Sequence, residues 1–442
     1  MGTMPVKKLL ITMSLPMVIA MLIQAMYNIV DSIFVARISE DALAAVSLAF
    51  PVQNLMISIA VGTAVGVNAM LSRSLGQKNQ DHVNKTANNG VFLAVLSYLG
   101  MAILGIFFSY KFFSVQTDIP AIIDQGGIYL LICTVFSFGI FVEITFERLL
   151  QSTGKTFYTM ITQGVGAVIN IILDPILIFG WFGLPAMGVM GAAIATVTGQ
   201  IVAMFLAIYY NKTKNPEVQL KFKGFRPNKW IIGRIYSVGL PSIVMSSVSS
   251  VMTFGINRIL LEFSSTAIAV FGVYFKLQSF VLMPIFGLNN GMVPILAYNY
   301  GAAKKQRIID TIKYSSIYAT LMMLFGMCCF LFLPKYLLLL FDASPSMLAV
   351  GIPALRIISL SFLFAGFCIV AGSVFQALGN GMLSLITAVA RQLVVLLPVA
   401  FVLSHFIGLN GVWLSFPIAE VASLFFSVLF LRRIYLQKIK PL

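Results

Sequence analysis

The chain has 442 residues, of which 59% are hydrophobic and only 10% are charged, and its formal net charge is +15. A soluble domain could not cover its surface with so few charged groups, so the composition excludes a soluble globular protein and predicts a membrane protein. A positive charge can also serve nucleic-acid binding, and the placement of the basic residues decides between these two uses.

Apolar segments of about 20 residues recur along the chain, and each is long enough to cross a hydrocarbon core about 30 Å thick as a helix. The first segment is too long for a signal peptide and has no small-residue cleavage site. We therefore predict an all-α integral membrane protein with twelve transmembrane helices. The predicted spans lie near 10–36, 42–71, 88–110, 122–150, 157–180, 186–210, 231–261, 266–299, 312–333, 348–378, 382–406 and 410–434.

The basic residues fall mostly in alternate loops of this topology. The two termini, the loops near 73–85, 148–155 and 304–313 and the polar stretch at 211–230 hold most of the 29 Lys and Arg residues. An excess of Lys and Arg marks the cytoplasmic loops of membrane proteins. The pattern predicts a multi-pass protein with both termini in the cytoplasm, and it argues against a nucleic-acid role.

The two halves of the chain repeat one another at a shift of 225 residues. We predict an N-terminal lobe at 1–210, a cytoplasmic connector at 211–230 and a C-terminal lobe at 231–442. Since each lobe has six spans, both enter the membrane in the same orientation, and a pseudo-two-fold axis along the membrane normal is expected to relate them. The matched pairs include Leu15 with Leu240, Pro16 with Pro241, Gln53 with Gln278, Gly62 with Gly287, Gly66 with Gly291, Gly76 with Gly301, Gln151 with Gln376 and Thr162 with Thr387.

Motifs for other chemistries are incomplete. The stretch 151–156 ends like a phosphate-binding loop, but Leu149 stands where such a loop needs its first glycine, so no ATP use is expected. The four cysteines and two histidines show no metal-ligand spacing, and no enzymatic constellation or cofactor site is apparent. The paired glycines at 62 and 66, and at 287 and 291, have the spacing of close helix packing.

Two acidic residues inside spans are the most informative side chains. Asp31 and Asp174 have no counterpart in the second half, where Ile256 and Val399 stand at the matching positions. An Asp at a helix centre costs roughly 2.5–3.5 kcal/mol to insert, so a retained one usually has a function or a specific partner. Span five has no basic residue, and Arg37 is not on the Asp31 face of span one. The expected counter-charge is therefore a mobile cation, either H⁺ or Na⁺.

Polar neighbours share the faces of these two acids. Gln24 and Tyr27 form one stripe with Asp31 on span one, and Asn170 precedes Asp174 by four residues. Carboxylate, amide and hydroxyl oxygens are ligands that Na⁺ accepts, whereas two close carboxylates in a low dielectric would hold a proton. The residues leave both alternatives open.

Prolines lie in the same helices and are expected to bend them. Pro175 removes a backbone donor and frees the carbonyl of Ile171 beside Asp174, and Pro16 does the same earlier in span one. A structural interpretation of each acid is that it satisfies loosened backbone or water near the outer interface. We favour the ion-site interpretation.

Three segments resemble the multidrug and toxic compound extrusion family, closest to its MepA-like bacterial branch. They are SLPMVIAMLIQAMYNIVDSIFVARISEDALAAVSLAFPVQ, NIILDP with GAAIAT after it, and YFKLQSFVLMPIFGLNNGMVPILAYNYGA. The resemblance implies a bacterial plasma-membrane antiporter that expels organic cations and amphiphilic drugs against inward H⁺ or Na⁺, contributes to antibiotic resistance and acts as a monomer among membrane lipids. It also implies that Pro16 marks a helix bend. The implied cation site, where Na⁺ is one candidate occupant, comprises Gln24, Tyr27, Asp31, Asn170, Asp174 and Thr196.

The second half has buried charges of its own. Lys276 and Glu420 lie at equal depth with opposite sign, so we expect an ion pair that Arg391 can join. Some relatives in the family use acids of spans seven and ten, where this chain offers only Glu262 and Arg356, so a second cation site is not expected.

Two further questions stay open at this stage. Glu143 has no evident partner, whereas Glu147 and Arg148 are expected at the membrane interface. The alternative function is a flippase or exporter of lipid-linked saccharides, which would depend on basic residues in its cavity. An ion channel is a further alternative, and it would conduct without coupling to a substrate.

Overall fold

The computed structural model describes all 442 residues as helices joined by short connections. Ten helical segments are long and apolar enough to cross a membrane, and two bent pairs bring the number of spans to twelve. This architecture confirms the predicted all-α fold class. The helices are α1 (Val6–Ala36), α2 (Glu40–Gly76), α3 (Gln80–Gln116), α4 (Pro120–Val135), α5 (Phe138–Ser152), α6 (Thr156–Phe179), α7 (Gly188–Lys214), α8 (Lys229–Leu261), α9 (Ser265–Gly301), α10 (Lys305–Phe332), α11 (Pro334–Leu339), α12 (Pro345–Ser359), α13 (Phe362–Ala377), α14 (Gly381–Val389), α15 (Leu397–Ile407) and α16 (Leu409–Ile434).

Local features of the helices repeat between the halves as the sequence does. Ser39 caps α2 by accepting from the amide of Ala42 at 3.0 Å, and Ser264 caps α9 by accepting from Ala267 at 3.1 Å. Such caps satisfy amide groups that have no partner within the helix. The span formed by α4 and α5 bends by 43°, and the matching span formed by α12 and α13 bends by 51°. The duplication therefore extends to helix ends and bends.

Two spans contain features that the apolar pattern did not reveal. Residues 390–396 form a π-helical segment between α14 and α15, and this segment carries Arg391. Helices α1 and α6 continue through Pro16 and Pro175 as single helices. The bends expected at these prolines stay predictions, for other conformations of the protein.

The first lobe (α1–α7) and the second lobe (α8–α16) meet through glycines of α2 and α9. A side chain at Gly76 would overlap the carbonyl oxygen of Tyr298, and one at Gly301 would overlap that of Arg73. These two contacts are equivalent under the 225-residue shift, so they report a pseudo-two-fold relation between the lobes. The glycines at 62, 66, 287 and 291 make the corresponding contacts with α8 and α1, which agrees with their interpretation as packing sites.

All of these glycine contacts lie on one side of the bundle. We call it the terminal side, because α1 begins there at Val6, α16 ends there at Ile434 and the segment 215–228 between α7 and α8 lies there. Near the opposite side, Met26 of α1 and Phe254 of α8 are 63% and 68% exposed. The lobes are therefore closed against each other at the terminal side.

The polar segment between the lobes is bound to α3 by hydrogen bonds. Helix α7 runs to Lys214 and α8 begins at Lys229, so the non-helical part is shorter than the predicted connector at 211–230. Three asparagines of α3 bind its backbone. Asn84 accepts from the amide of residue 219 at 3.0 Å, Asn88 both accepts from and donates to residue 221, and Asn89 accepts from the amide of residue 228 at 3.0 Å.

Candidate functional site

A cavity of about 620 Å³ lies inside the first lobe. We call it the first-lobe cavity. Its walls come from α1, α2, α4, α5, α6 and α7 and, through Asn290, from α9 of the second lobe. Its volume is in the range that accommodates drug-sized molecules. Its polar lining includes Gln24, Tyr27, Asn28, Asp31, Gln53, Tyr129, Glu143, Glu147, Arg148, Gln163, Asn170 and Thr196.

Asp31 of α1 and Asp174 of α6 lie side by side in this lobe. Asp174 is fully buried, and Asp31 is partly buried on the cavity wall. Their carboxyl groups are within hydrogen-bonding reach of each other, and each has one buried oxygen, Oδ1, without a partner in the protein. Two carboxylates so close in a low dielectric cannot both stay charged unless a proton or another cation lies between them. We call these two residues the acid pair.

Asn170 and Thr196 extend the polar surface around Asp174. With its amide nitrogen turned toward the carboxylate, Asn170 donates to Asp174 Oδ2 at 3.0 Å and accepts from Thr196 Oγ1 at 3.2 Å and Thr196 N at 3.0 Å. Close packing of α6 on α7 makes this possible, because Gly166 and Gly199 face each other without side chains beside these residues. The arrangement brings carboxylate, amide and hydroxyl groups together at one point, as the sequence indicated.

Tyr27 and Gln24 line the same cavity at successive turns of α1 below Asp31. The structure adds a pair that sequence reasoning did not single out. Gln53 of α2 donates from Nε2 to the hydroxyl of Tyr129 at 3.1 Å, and both residues face the cavity. The one available signal was that Gln53 recurs as Gln278 in the second half.

The acid pair has no fixed positive partner. The protein contains three ion pairs, Lys85–Asp81, Lys155–Glu217 and Arg391–Glu420, and none involves Asp31 or Asp174. The one basic residue of the first-lobe cavity is Arg148, which donates to Gln151 and to Asn290 of α9, both at 2.9 Å. Since Arg148 is bonded to these amides, the charge of the acid pair remains uncompensated within the protein.

Glu147 and Arg148, which the sequence predicts at the membrane interface, are enclosed by protein. They are only 3% and 8% exposed, and both line the first-lobe cavity. Helix α5 is enclosed because α2 and α7 pack along it up to its terminal-side end. Glu147 is held there by Thr162, which donates at 2.6 Å, and by Gln163, which donates at 2.7 Å.

The second lobe contains a cavity of about 590 Å³, which we call the second-lobe cavity. Here Arg391 donates from Nη1 to Glu420 Oε2 at 3.0 Å. The expected pair between Lys276 and Glu420 is not formed. Lys276 is exposed and lies 6.0 Å from the ring centroid of Phe341. Equal depth did not determine the pairing, because the two side chains leave their helices on different faces and the π-helical segment directs Arg391 toward α16.

These features define a class of protein, namely a membrane transporter built from two duplicated helical lobes with an acid pair in one of them. The chain belongs to the MatE family, since the family model matches residues 16–176 and 241–402, once in each half of the chain. Members of this family are transporters that use ion gradients, and they are not enzymes. The resemblance inferred from the three sequence segments is thereby confirmed.

Individual relatives span nearly the whole chain. The multidrug export protein MepA of Staphylococcus haemolyticus is 28% identical over 425 residues, which is 95% of this chain and 92% of that protein. An FAD transporter of Shewanella oneidensis is 27% identical over 94% of this chain and 92% of its own length. The solved outward-facing conformation of a multidrug resistance MATE family transporter matches with a TM-score of 0.92 at 24% identity, over 99% of this chain and 97% of that one. This structural likeness establishes the fold.

Proposed function

We propose that this protein is a secondary active multidrug exporter, which carries organic cations and amphiphilic drugs out of the cell in exchange for inward H⁺ or Na⁺. The observation that carries the proposal is the acid pair: Asp31 lines a drug-sized cavity, Asp174 lies buried beside it, and neither has a fixed positive partner. Such a pair needs a mobile cation. The similarity to multidrug export proteins supports the substrate class.

The same proposal assigns the orientation and the division of the chain. The terminal side faces the cytoplasm of a bacterial plasma membrane, because it holds most of the basic residues. The lobe at 1–210 carries the cation site, the stretch 211–230 is the cytoplasmic connector and residues 231–442 form the second lobe. Since one chain lines both cavities, a monomer suffices for transport.

Transport follows an alternating-access cycle. In the outward-open state the acid pair releases a drug and accepts an ion. If the ion is Na⁺, the two carboxylates and the Thr196 hydroxyl would hold it, and Asn170 would turn its amide oxygen toward it. If the ion is H⁺, the two carboxylates would share it. Binding of ion or drug then biases the equilibrium between the outward-open and inward-open states.

The geometry supports this function over the flippase alternative. A flippase for lipid-linked saccharides would require basic residues in its cavity, and Lys276, Arg356 and Arg391 were the candidates in the sequence. Lys276 and Arg356 are exposed and do not line the second-lobe cavity, whereas Arg391 does but is paired with Glu420.

The test is ethidium efflux from reconstituted vesicles under separately imposed H⁺ and Na⁺ gradients. We expect Asp31→Asn and Asp174→Asn each to abolish gradient-driven efflux, because each removes a negative charge that must be neutralised in the cycle. Asp118→Asn is the matched control, since Asp118 is exposed near the same side of the bundle. The gradient that drives the wild-type protein identifies the coupling ion.

Unaltered gradient-driven efflux in both Asp31→Asn and Asp174→Asn would contradict the mechanism. Conductance without stoichiometric drug movement would instead indicate a channel.

A further inference from the structure

Glu143 of α5 is a buried carboxylate that the proposed cation site does not use. It is 9% exposed and lines the first-lobe cavity. It forms none of the ion pairs of the protein, and its carboxylate has no hydrogen-bond donor. A carboxylate in such an environment is costly, so one that faces an internal cavity without a partner indicates a ligand that supplies the missing charge.

The neighbouring acid on the same helix face, Glu147, is a buried carboxylate with hydrogen-bond donors. Glu147 follows Glu143 by one helical turn and accepts hydrogen bonds from Thr162 at 2.6 Å and from Gln163 at 2.7 Å. Arg148 is its neighbour in the chain and lines the same cavity. Two carboxylates of equal chemistry therefore differ in their partners, and only Glu143 lacks them.

The position of Glu143 separates it from the acid pair. Asp31 lies five residues from the end of α1 at the opposite side, whereas Glu143 lies in the middle of α5, nine residues from its terminal-side end at Ser152. Tyr27 lines the same cavity, about one helical turn nearer the terminal side than Asp31. The cavity thus has two levels of negative charge along the membrane normal.

The surface around Glu143 suits an apolar cation. Met21 and Met56 line the same cavity with flexible thioethers, Ile140 lies about one turn before Glu143 on α5, and Ile144 follows it directly. Tyr129 offers an aromatic ring. Thioethers and aromatic faces accept lipophilic organic cations of various shapes, and a single buried carboxylate fixes the position of the charge.

We infer that Glu143 is the counter-charge for the cationic group of the exported compound, at a subsite distinct from the acid pair that holds the coupling ion. The ligand class is a lipophilic organic monocation, such as a quaternary ammonium or phosphonium compound. The inference rests on the proposed function and adds a division of labour to it. The bound ion and the bound drug then lower each other's affinity by electrostatic repulsion within one cavity, and they do not compete for the same oxygen atoms.

The experiment is the binding of tetraphenylphosphonium to the purified full-length protein, measured by calorimetry at fixed pH and fixed salt. Glu143→Gln keeps the shape of the side chain and removes its charge, so we expect binding about tenfold weaker, which corresponds to about 1.4 kcal/mol. Glu143→Asp keeps the charge and should restore most of the affinity. Asp31→Asn should still bind the compound but should lose the competition between compound and coupling ion.

Matched variants keep the result interpretable. Glu147→Gln removes the same charge one turn away, where the carboxylate has hydrogen-bond donors, so we expect a lower Tm and a smaller loss of affinity. Asp118→Asn on the surface should change neither. A Tm measurement on Glu143→Gln shows that it is folded before its affinity is compared.

Wild-type affinity in a folded Glu143→Gln variant would overturn the inference while the proposed function stood. Loss of tetraphenylphosphonium binding in Asp31→Asn, with Glu143→Gln unaffected, would assign drug and ion to the acid pair together and also overturn it. If the wild-type protein bound no organic cation at all, the proposed function would fail as well.

Discussion

Each lobe has its own cavity, and the two cavities differ in their charged residues. Their cavities have similar volumes, about 620 Å³ and about 590 Å³, and the repeated glutamines line both, Gln53 and Gln151 in the first and Gln278 and Gln376 in the second. Asp31, Asp174 and Glu143 of the first lobe form no ion pair, whereas the single acid of the second-lobe cavity is neutralised by an arginine at 3.0 Å. The two lobes therefore have the same helical scaffold and cavity, and they differ in which charged residues line it.

The charges of the acid pair and of the two cavities stand at positions that are uncharged in the other lobe. Asp31 and Asp174 correspond to Ile256 and Val399, and at the same shift Glu420 corresponds to Ala195. A scaffold that tolerates apolar residues at these positions in one half does not need charges there for folding. The comparison thus separates stability from function, and substitutions that give one lobe the residue of the other can test it.

The largest expected effect follows from making the acid pair resemble the second lobe. Asp174→Val introduces the residue found at the equivalent position, Val399, and should abolish ion-driven efflux completely. The same change should raise the Tm, because it removes a buried carboxylate whose insertion costs roughly 2.5–3.5 kcal/mol, with part of the gain offset by the lost hydrogen bond to Asn170. Efflux from vesicles and Tm, measured on one preparation, check both parts. A variant that is inactive and less stable would show that Asp174 also serves the fold.

The next effect concerns the ion pair of the second-lobe cavity. Arg391→Met leaves Glu420 buried at 4% exposure without a counter-charge, which should destabilise the protein by about 3 kcal/mol. Combining it with Glu420→Gln should restore most of the stability and retain drug efflux, if the pair is a structural tie. The readout is the change in Tm across the double-mutant cycle.

Lys276→Met is the control for this cycle. Lys276 carries the same charge but forms no ion pair and lies at 6.0 Å from the ring of Phe341, so its loss should be close to neutral. Stable Arg391→Met and Arg391→Met/Glu420→Gln variants that lose efflux would instead give the pair a role in transport.

A smaller effect is expected where the lobes meet. Gly76→Ala and Gly301→Ala each place a methyl group against a backbone carbonyl of the other lobe, so they should disfavour closure of the terminal side by about 2 kcal/mol. The labelling rate of Ser14→Cys, in a background without the four natural cysteines, reports this closure, because Ser14 packs against Gly291. Both alanine variants should raise the rate.

Gly233→Ala is the control on the same side of the bundle, since nothing lies within 4 Å of an added methyl group there. Equal labelling rates in the Gly76, Gly301 and Gly233 variants would mean that the glycines do not govern this interface.

The sequence was sufficient to predict the spans and the acid pair for one physical reason. Apolar length and the cost of burying a charge are properties of single segments, so twelve spans, Asp31 and Asp174 stand out without knowledge of tertiary structure. Asn170 could be added because it lies one helical turn from Asp174. Thr196 came from family resemblance, since nothing on α7 alone indicates that Gly199 lets it approach α6.

The errors arose where the answer depends on neighbouring helices. That Glu147 and Arg148 are enclosed follows only from the packing of α2 and α7 around them. Lys276 was paired with Glu420 on depth alone, although depth does not report which face of a helix a side chain occupies. The asparagines of α3 that bind the connector could not be found, because their partners are backbone groups more than 130 residues away.

The smallest expected effect tests the edge of the cation site. Thr196→Val introduces the residue of the second lobe, Val421, and removes the hydroxyl that donates to Asn170 at 3.2 Å, but it keeps the backbone amide that donates at 3.0 Å. Asn170 therefore stays oriented toward Asp174, and the loss should be about 1 kcal/mol, or roughly a fivefold higher ion concentration for half-maximal efflux. Thr213→Val on the exposed end of the same helix should change nothing. If Na⁺ drives transport and the Thr196 hydroxyl is a ligand, the shift appears under a Na⁺ gradient. If H⁺ drives transport, the hydroxyl is not a ligand, so the rise in the ion concentration for half-maximal efflux should be smaller than under Na⁺. The size of this rise therefore also distinguishes the two ions.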